Sequence, residues 1–298
     1  MALTNEEKER LLAVLDVTGG HRETMFKERV IPEDYKSCLE RCDRKEMTLV
    51  FPSLDPVRVI LTMPKKKQAN APLHINYHGG GFIFKQNGDD DMYCAHIAAA
   101  AGAVVVDVDY ASSVDAPYPM AFNQAYETAK WAFAHCQEWG CDPKRLSVGG
   151  SSAGGNLAMA VSLKASETGD FPICLEILEY AATDNYIPVE HPEEMARSYT
   201  FSSLYVDGEL EVLKEPYCSP AYATDEQLKR LPETLIIAPV QCPFYEINNE
   251  LGMRMVRQGV PVTFRSYLES THGSTVRMVG EWQQAQAAVI RAIKQTTL

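Results

Sequence analysis

The chain has 298 residues, 46% of them hydrophobic, and a formal net charge of −12 at pH 7. That apolar fraction is ordinary for a globular protein and excludes a disordered chain. The acidic balance argues against nucleic acid and against an anionic membrane as partners, because both select clustered lysine and arginine.

Residues 1–46 are predicted to form a helical segment at the periphery of the fold. An apolar helical face over Leu11–Leu15 ends at Gly19–Gly20, and a second helical stretch covers Tyr35–Arg44. The segment begins with acidic residues and lacks the basic stretch and apolar core of a signal peptide, so none is expected.

Strands and helices are predicted to alternate from about Met47 onward. The predicted strands are Val57–Met63, Pro72–Tyr77, Val104–Val108, Leu146–Val148, Cys174–Leu178, Thr234–Ala238 and Val262–Tyr267. The predicted helices are Asp89–Ala101, Ala121–Trp139, Ala153–Ala165, Glu246–Gln258 and Val276–Lys294. This alternation is typical of α/β proteins, in which helices cover both faces of a mostly parallel, twisted sheet. Residues 188–220 break the alternation and are predicted to be an insertion that folds over the carboxyl-terminal edge of the sheet.

The eight cysteines indicate neither a disulfide framework nor a metal site. They include no C-x-x-C pair, and the seven histidines form no H-E-x-x-H motif. A reducing cytoplasm is therefore the predicted compartment. The spacing of the cysteines and histidines predicts no metal ion. No stretch reaches the roughly 18 uninterrupted apolar residues of a membrane span, so no membrane is expected as a partner.

The strongest chemical signal is the segment Gly150–Gly154, which reads G-S-S-A-G. It follows a predicted strand and opens a predicted helix, which is the context of a G-x-S-x-G nucleophile elbow. Such a tight turn leaves no room for flanking side chains, and the amino terminus of the helix offers free N–H groups to an oxyanion. Ser152 is therefore predicted to be a catalytic nucleophile.

A second glycine-rich segment, His78–Phe82, also follows a predicted strand and reads H-G-G-G-F. Consecutive glycines let a backbone approach a ligand closely, and the H-G-G-G motif supplies oxyanion-hole donors in hydrolases that carry the elbow. The amides of Gly79, Gly80 and Ala153 are therefore predicted to form an oxyanion hole. No G-x-x-x-x-G-K-[ST] pattern follows, which argues against a phosphate loop.

The third signal is His272-Gly273, just beyond the last predicted strand. In the chain order Ser, acid, His, this is the position of the general base. His272 is therefore predicted to take the proton of Ser152.

These motifs resemble the hormone-sensitive-lipase-like branch of the α/β-hydrolases, which includes small bacterial carboxylesterases related to arylacetamide deacetylases. The matching segments are His78–Phe82, Val108–Tyr110, Pro117–Pro119, Asp142–Pro143, Gly149–Leu157, Leu231–Pro232, Gly259–Thr263 and His272–Gly273. The resemblance implies an α/β-hydrolase core over residues 47–298, with a helical cap made of residues 1–46 and the insertion at about 188–220. It also implies hydrolysis of short-acyl carboxylic esters without a metal or an organic cofactor.

Three positions depart from the family pattern. Ser151 replaces the Asp of G-D-S-A-G, and Tyr110 is followed by Ala-Ser instead of Arg-Leu. Cys242 stands where the family places its triad acid. A neutral group there can cost about 10⁴-fold in kcat, because the carboxylate fixes the tautomer of the histidine.

Several groups compete for the role of orienting His272. Glu246 lies four residues beyond Cys242, and Asp184 follows the predicted strand Cys174–Leu178, near where some other lipases of this fold place their acid. A water or a backbone carbonyl would give a slower Ser–His dyad, and a lapsed hydrolase or an introduced cysteine are the remaining explanations. Cys242 itself is interpreted as a small buried thiol rather than as a second nucleophile.

The sequence thus predicts a serine hydrolase that cleaves small, short-acyl carboxylic esters through an acyl-enzyme, with activity weakened by the missing acid. The alternative is a catalytically impaired or non-hydrolytic relative, which keeps the pocket for ligand binding or for a lyase reaction. The expected partner is a small ester of neutral or modestly polar character, because no arginine cluster marks an anion site. The sequence is compatible with a homo-oligomer.

Overall fold

Eight strands pair into one sheet in the computed structural model, which describes residues 2–15, 31–86, 88–186 and 196–296. The strands are β1 (Cys42–Leu49), β2 (Val57–Pro64), β3 (Ala71–Tyr77), β4 (Val104–Asp109), β5 (Cys141–Ser151), β6 (Leu175–Glu179), β7 (Glu233–Pro239) and β8 (Val262–Tyr267). Their order across the sheet is β1-β2-β4-β3-β5-β6-β7-β8. Only the pairs of β2 with β1 and with β4 are antiparallel within these described strands, which confirms the predicted, mostly parallel sheet.

Helices cover both faces of this sheet. The helices are α1 (5–15), α2 (Glu33–Glu40), α3 (Asp89–Ala101), α4 (Met120–His135), α5 (Ala153–Thr168), α6 (Ala196–Tyr205), α7 (Asp225–Leu228), α8 (Tyr245–Arg257), α9 (Ser274–Arg277) and α10 (Trp282–Gln295). Residues of α3 and α10 pack on one face, and residues of α4, α5 and α8 pack on the other. In β4, Val104 and Val106 join one of these cores and Val105 joins the other, as expected for a strand that is apolar throughout. None of the helices within the described ranges combines the length and the apolar character that a membrane span requires.

The parallel pairing brings the two glycine-rich motifs to the same edge of the sheet. In the register of β3 with β5, Tyr77 lies opposite Gly150. The H-G-G-G segment therefore leaves the sheet directly beside the G-x-S-x-G turn. This edge is the carboxyl end of the parallel strands, where α/β proteins commonly bind their ligands.

The predicted helix over Tyr35–Arg44 is wrong at its carboxyl-terminal end, because β1 begins at Cys42 and pairs antiparallel with β2. The charged residues of β1 are exposed at the edge of the sheet, where charge also prevents pairing with further strands. The predicted helix Val276–Lys294 is divided into α9 and α10, since Met278 and Gly280 have φ angles of 57° and 61°. The left-handed backbone conformation at these two residues ends the first helix.

The amino-terminal helix and the insertion pack together beside residues 78–86, which begin with the H-G-G-G segment and are called the oxyanion loop after their predicted role. Leu15 of α1, Leu204 of α6 and Ile83 form a small apolar cluster. Lys8 also pairs with Asp207 over 2.8 Å. This packing supports the assignment of both segments to a cap, which remains a prediction. The predicted break at Gly19–Gly20 and the first part of the insertion lie outside the described residues.

Glu176 of β6 is a buried carboxylate whose ionisation is expected to affect stability. Its Oε1 accepts a hydrogen bond from the Thr234 hydroxyl over 3.0 Å, and burial raises its pKa from 4.5 to about 7. The folded state therefore holds this proton more tightly than the unfolded state, and the resulting stabilisation is lost as the pH rises from 4.5 to 7. Glu176→Gln is expected to raise the free energy of unfolding by about 1–3 kcal/mol at pH 8 and to change it little near pH 4.5.

Urea denaturation at the two pH values measures this difference. Glu233→Gln is the matched control, because Glu233 lies exposed at the start of the neighbouring strand β7. An equal effect of Glu176→Gln at both pH values would contradict the expectation.

Candidate active site

Ser152 occupies a strained turn between β5 and α5. Its backbone has φ 57° and ψ −117°, a combination that residues other than glycine rarely adopt. Its amide donates a hydrogen bond to the carbonyl of Glu179 over 2.9 Å, and its carbonyl accepts one from Ala182 over 3.0 Å. Bonds to the end of β6 and to the loop beyond it therefore hold the turn in place.

Close backbone contacts require the glycines of this turn. A Cβ atom on Gly150 would lie 2.6 Å from the carbonyl carbon of Gly154, and one on Gly155 would lie 2.6 Å from Cβ of Ala181. A Cβ atom on Gly154 would collide with the carbonyl oxygen of Tyr77. The start of α5 can therefore approach β3 and the loop after β6 only where side chains are missing.

The H-G-G-G segment passes close to Ser152 at Gly79. A Cβ atom on Gly79 would lie 3.5 Å from Cβ of Ser152, and Gly80 has a φ angle of 149°. The amides of Gly79, Gly80 and Ala153 donate to no backbone acceptor among the described residues. That these three N–H groups form an oxyanion hole beside Ser152 remains a prediction.

The segment after β4 holds the oxyanion loop in position. The Tyr110 hydroxyl donates to the carbonyl of His78 over 2.7 Å, and the two rings stack with centroids 4.2 Å apart. The Ser112 hydroxyl donates to the carbonyl of Ile83, also over 2.7 Å. The Ala-Ser sequence that departs from the family pattern after Tyr110 thus supplies an anchor for this loop.

His272 lies beyond the end of β8 and reaches the turn that carries Ser152. Its Nε2 lies 3.0 Å from Oγ of Ser152. The rings of Tyr180 and Phe244 meet the imidazole edge to face, with centroids 5.1 Å and 5.3 Å away. The structure therefore brings the predicted nucleophile and the predicted base within hydrogen-bond distance, on an imidazole that two aromatic rings hold in place.

Cys242, in the loop after β7, faces the other ring nitrogen of His272. Its Sγ lies 3.1 Å from Nδ1 and accepts the N–H of Phe244 over 3.4 Å. The residue is 5% exposed, and burial raises the pKa of its thiol to about 11. The thiol is therefore neutral at pH 7, and a neutral sulfur is a weaker acceptor than the carboxylate that the family pattern has here.

The position beside Nδ1 of His272 is filled by Cys242 and not by either carboxylate considered as a substitute acid. Glu246 is exposed in the first turn of α8. Asp184 accepts the amide of Tyr186 over 2.9 Å, and burial raises its pKa. The hydrogen-bond contacts that the described residues make with the ring nitrogens of His272 are Sγ of Cys242 at Nδ1 and Oγ of Ser152 at Nε2. Of the three candidate side chains, Cys242 is the one at Nδ1.

A cavity of about 560 Å³ is lined by Ser152 and His272. Its apolar walls include Phe84, Phe201 and Phe244, from the loop after β3, helix α6 and the loop after β7. Within the described ranges no group of three or more His, Cys, Asp or Glu is arranged to hold a metal ion. Small-molecule pockets measure about 300–1,000 Å³, so the cavity is large enough for a small ester beside Ser152.

Tyr180, Arg197 and Arg277 are among the residues of this cavity that the sequence did not indicate. Tyr180 directly follows β6, so its place at the carboxyl edge of the sheet could have been predicted. Arg197 belongs to the insertion and Arg277 to the short helix after His272. No motif marks either arginine, and only the tertiary structure brings them to one cavity.

A family model matches the segment that carries the site, and known proteins resemble parts of the chain. A family described as alpha/beta hydrolase fold matches residues 74–276. The esterase LipI of Mycobacterium tuberculosis is 30% identical over 213 residues, which cover 69% of this chain and 66% of LipI. The hormone-sensitive lipase of Bos taurus is 32% identical over 128 residues, which cover 43% of this chain and 17% of the lipase. The chain thus spans just under two thirds of LipI and a small part of the lipase.

A solved structure extends the similarity to almost the whole chain. The hyperthermophilic esterase from the archaeon Pyrobaculum calidifontis superposes with a TM-score of 0.80 at 25% sequence identity. The superposition covers 99% of this chain and 98% of that esterase. The shared fold therefore extends over almost the whole length of both chains.

Proposed function

The chain belongs to the hormone-sensitive-lipase-like branch of the α/β-hydrolase family, and we propose that it hydrolyses small, short-acyl carboxylic esters at Ser152. Relatives named as esterases support ester hydrolysis as the type of reaction. The assignment of a carboxylesterase that works through an acyl-enzyme goes further. The observation that carries it is the 3.0 Å distance between Ser152 Oγ and His272 Nε2.

In the proposed mechanism, Ser152 Oγ attacks the ester carbonyl while Nε2 of His272 takes the hydroxyl proton. The negative charge that develops on the carbonyl oxygen is received by the amides of Gly79, Gly80 and Ala153. The imidazolium then gives its proton to the departing alkoxide, which leaves an acyl group on Ser152. A water that loses its proton to the same imidazole releases the carboxylic acid and restores the serine.

Cys242 has a positioning role in this mechanism. To accept a proton at Nε2, His272 must carry its other proton on Nδ1, and the 3.1 Å contact offers the sulfur as acceptor for that proton. A neutral thiol stabilises the imidazolium less than a carboxylate does. We therefore expect a working but slow enzyme at neutral pH.

Active-site titration tests the proposal most directly. Diethyl p-nitrophenyl phosphate should release one p-nitrophenolate per chain and leave a diethylphosphoryl group on Ser152, which peptide mass spectrometry identifies. The unmodified protein should hydrolyse p-nitrophenyl acetate and butyrate faster than buffer, and the phosphorylated protein should not. Hydrolysis no faster than buffer, together with an unlabelled Ser152, would favour the non-hydrolytic relative.

The rate should also depend on ionisation of the Cys242 thiol. Above pH 9 a growing fraction becomes thiolate, since its pKa is about 11, and a thiolate accepts the Nδ1–H bond strongly. We expect kcat/KM for ethyl butyrate to rise about tenfold or more between pH 9 and pH 11 in the wild type.

Cys242→Ser is the matched control for this alkaline rise. A serine hydroxyl has nearly the same size and does not ionise in this range, so its profile should stay flat above pH 9. Product formation followed by chromatography, corrected for alkaline hydrolysis, measures both profiles. An equal rise in the two proteins would show that another group titrates.

A further inference from the structure

Two arginines that are far apart in the sequence line the active-site cavity. Arg197 lies in the cap helix α6, and Arg277 ends the short helix α9 that follows His272. The chain as a whole is acidic, with a formal net charge of −12. The presence of two positively charged side chains on the active-site cavity of an acidic protein therefore suggests that they have a role in substrate binding.

Arg277 lies on the histidine side of the cavity. A Cβ atom on Gly273 would lie 2.9 Å from Nε of Arg277, so the guanidinium covers the residue next to His272. Its Nη1 also lies 3.5 Å from the carbonyl oxygen of His272. A substrate group that points from Ser152 toward the histidine would therefore meet this positive charge.

Arg197 lies on the side of the oxyanion loop. Its Cζ atom is 5.6 Å from the centre of the Phe201 ring, and that ring packs directly on Gly81 of the H-G-G-G segment. Arg197 is thus held over an aromatic ring that forms part of the cavity wall. The two arginines thus line the cavity from two different elements, α6 and α9.

The two positive charges act on each other across the cavity. Burial and the nearby charge of Arg277 lower the pKa of the Arg197 guanidinium. Asp89, Asp90 and Asp184 also line the cavity, and burial raises the pKa of both Asp90 and Asp184. Two like charges on one cavity repel each other, and an anionic group of a substrate between them would be attracted by both.

From the convergence of Arg197 and Arg277 on this cavity, we infer that the preferred substrates are esters that carry a carboxylate several bonds from the ester carbonyl. Monoesters of dicarboxylic acids have this chemistry. The inference rests on the proposed ester hydrolysis and replaces the neutral or modestly polar ester that the sequence predicted with a charged one. Hydrolysis adds the hydroxyl of water to the acyl carbon and a proton to the alkoxide, so the products are a dicarboxylate, an alcohol and one released proton.

The test compares monoethyl adipate with diethyl adipate, which differ at the remote end by one charge. In the wild type we expect kcat/KM to be at least about tenfold higher for the monoester, and the preference to fall as salt is added. Arg197→Met and Arg277→Met should each reduce the preference, and the double variant should abolish it. Arg277→Lys should retain most of it, because it keeps the charge.

Arg257→Met is the matched control, since Arg257 is exposed at the end of α8 and does not line the cavity. It changes the net charge by the same amount as Arg197→Met or Arg277→Met, and it should leave the preference for the monoester unchanged. A double variant with the wild-type preference, or a wild type that prefers the diester, would overturn the inference. Circular dichroism shows that each variant is folded before the rates are compared.

Binding to Ser152→Ala separates this inference from the proposed function. Calorimetry should detect tighter binding of monoethyl adipate than of diethyl adipate. Arg277→Met, added to Ser152→Ala, should weaken binding of the monoester about tenfold. If neutral esters are cleaved but this binding difference is missing, the inference is wrong and the proposed function stands. If binding follows the arginines but no ester is cleaved, the anion site stands and the proposed hydrolysis is wrong.

Discussion

Ser152→Ala is expected to lower kcat for p-nitrophenyl butyrate by at least about 10²-fold. In a complete serine triad, loss of the nucleophile costs about 10⁶-fold, and loss of the acid alone costs about 10⁴-fold. The three groups of the triad act as a unit. A chain with a neutral thiol at the position of the triad acid has therefore already lost most of the rate acceleration that a complete triad gives. What remains for Ser152 to contribute is about the ratio of the two losses, which is 10²-fold.

Ser151→Ala is the matched control for this experiment. Ser151 is the adjacent residue and is 5% exposed, and the serine whose Oγ lies at Nε2 of His272 is Ser152. Its alanine variant should keep kcat within a few-fold of the wild type, because the 3.0 Å contact of Ser152 is untouched. If both alanine variants hydrolyse the ester at the wild-type rate, catalysis at Ser152 is ruled out.

Local patterns in the sequence predicted the elements that position the site. Helix α3 and strand β8 have the predicted bounds, because a helix between left-handed glycines and a strand that ends before a turn are both fixed by neighbouring residues. The two glycine-rich motifs were found in the same way. Backbone contacts at these glycines leave no room for a side chain. The constraint is therefore visible in the sequence as glycine at fixed positions.

Contacts between residues far apart in the chain could not be predicted from such local patterns. The sequence left Cys242, Glu246 and Asp184 as competing partners of His272, since the distance to Nδ1 depends on how three loops pack. The same holds for Arg197 and Arg277, which are 80 positions apart and lie in segments with no motif. β1 was missed for another reason, because its charged exposed face matches a surface helix as well as it matches an edge strand.

Cys242→Asp is expected to raise kcat by at least about tenfold, and by up to about 10³-fold, with little change in KM. The Sγ atom already lies 3.1 Å from Nδ1 of His272 and accepts the Phe244 amide. A carboxylate in this seat would accept both N–H groups at once, as a charged acceptor. It would fix the productive tautomer and stabilise the imidazolium that forms when Ser152 loses its proton.

Cys242→Asn provides the comparison that isolates charge. Asparagine has the shape of aspartate but is neutral and presents either an acceptor or a donor to Nδ1, so no gain is expected. Steady-state kinetics with p-nitrophenyl butyrate at pH 7 measures kcat and KM for the three proteins. A gain in both variants would indicate repacking of the loop, and a gain in neither would show that the thiol already orients His272 adequately.

The carboxylate should also increase the effect of removing the nucleophile. In the Cys242→Asp background, Ser152→Ala is expected to cost about 10³–10⁵-fold, compared with about 10²-fold in the wild type. This coupling arises because the acid acts only through the imidazole and only when that imidazole takes a proton from Ser152. Equal losses in the two backgrounds would mean that Cys242 and Ser152 do not act on the same proton transfer, and the triad arrangement would have to be given up.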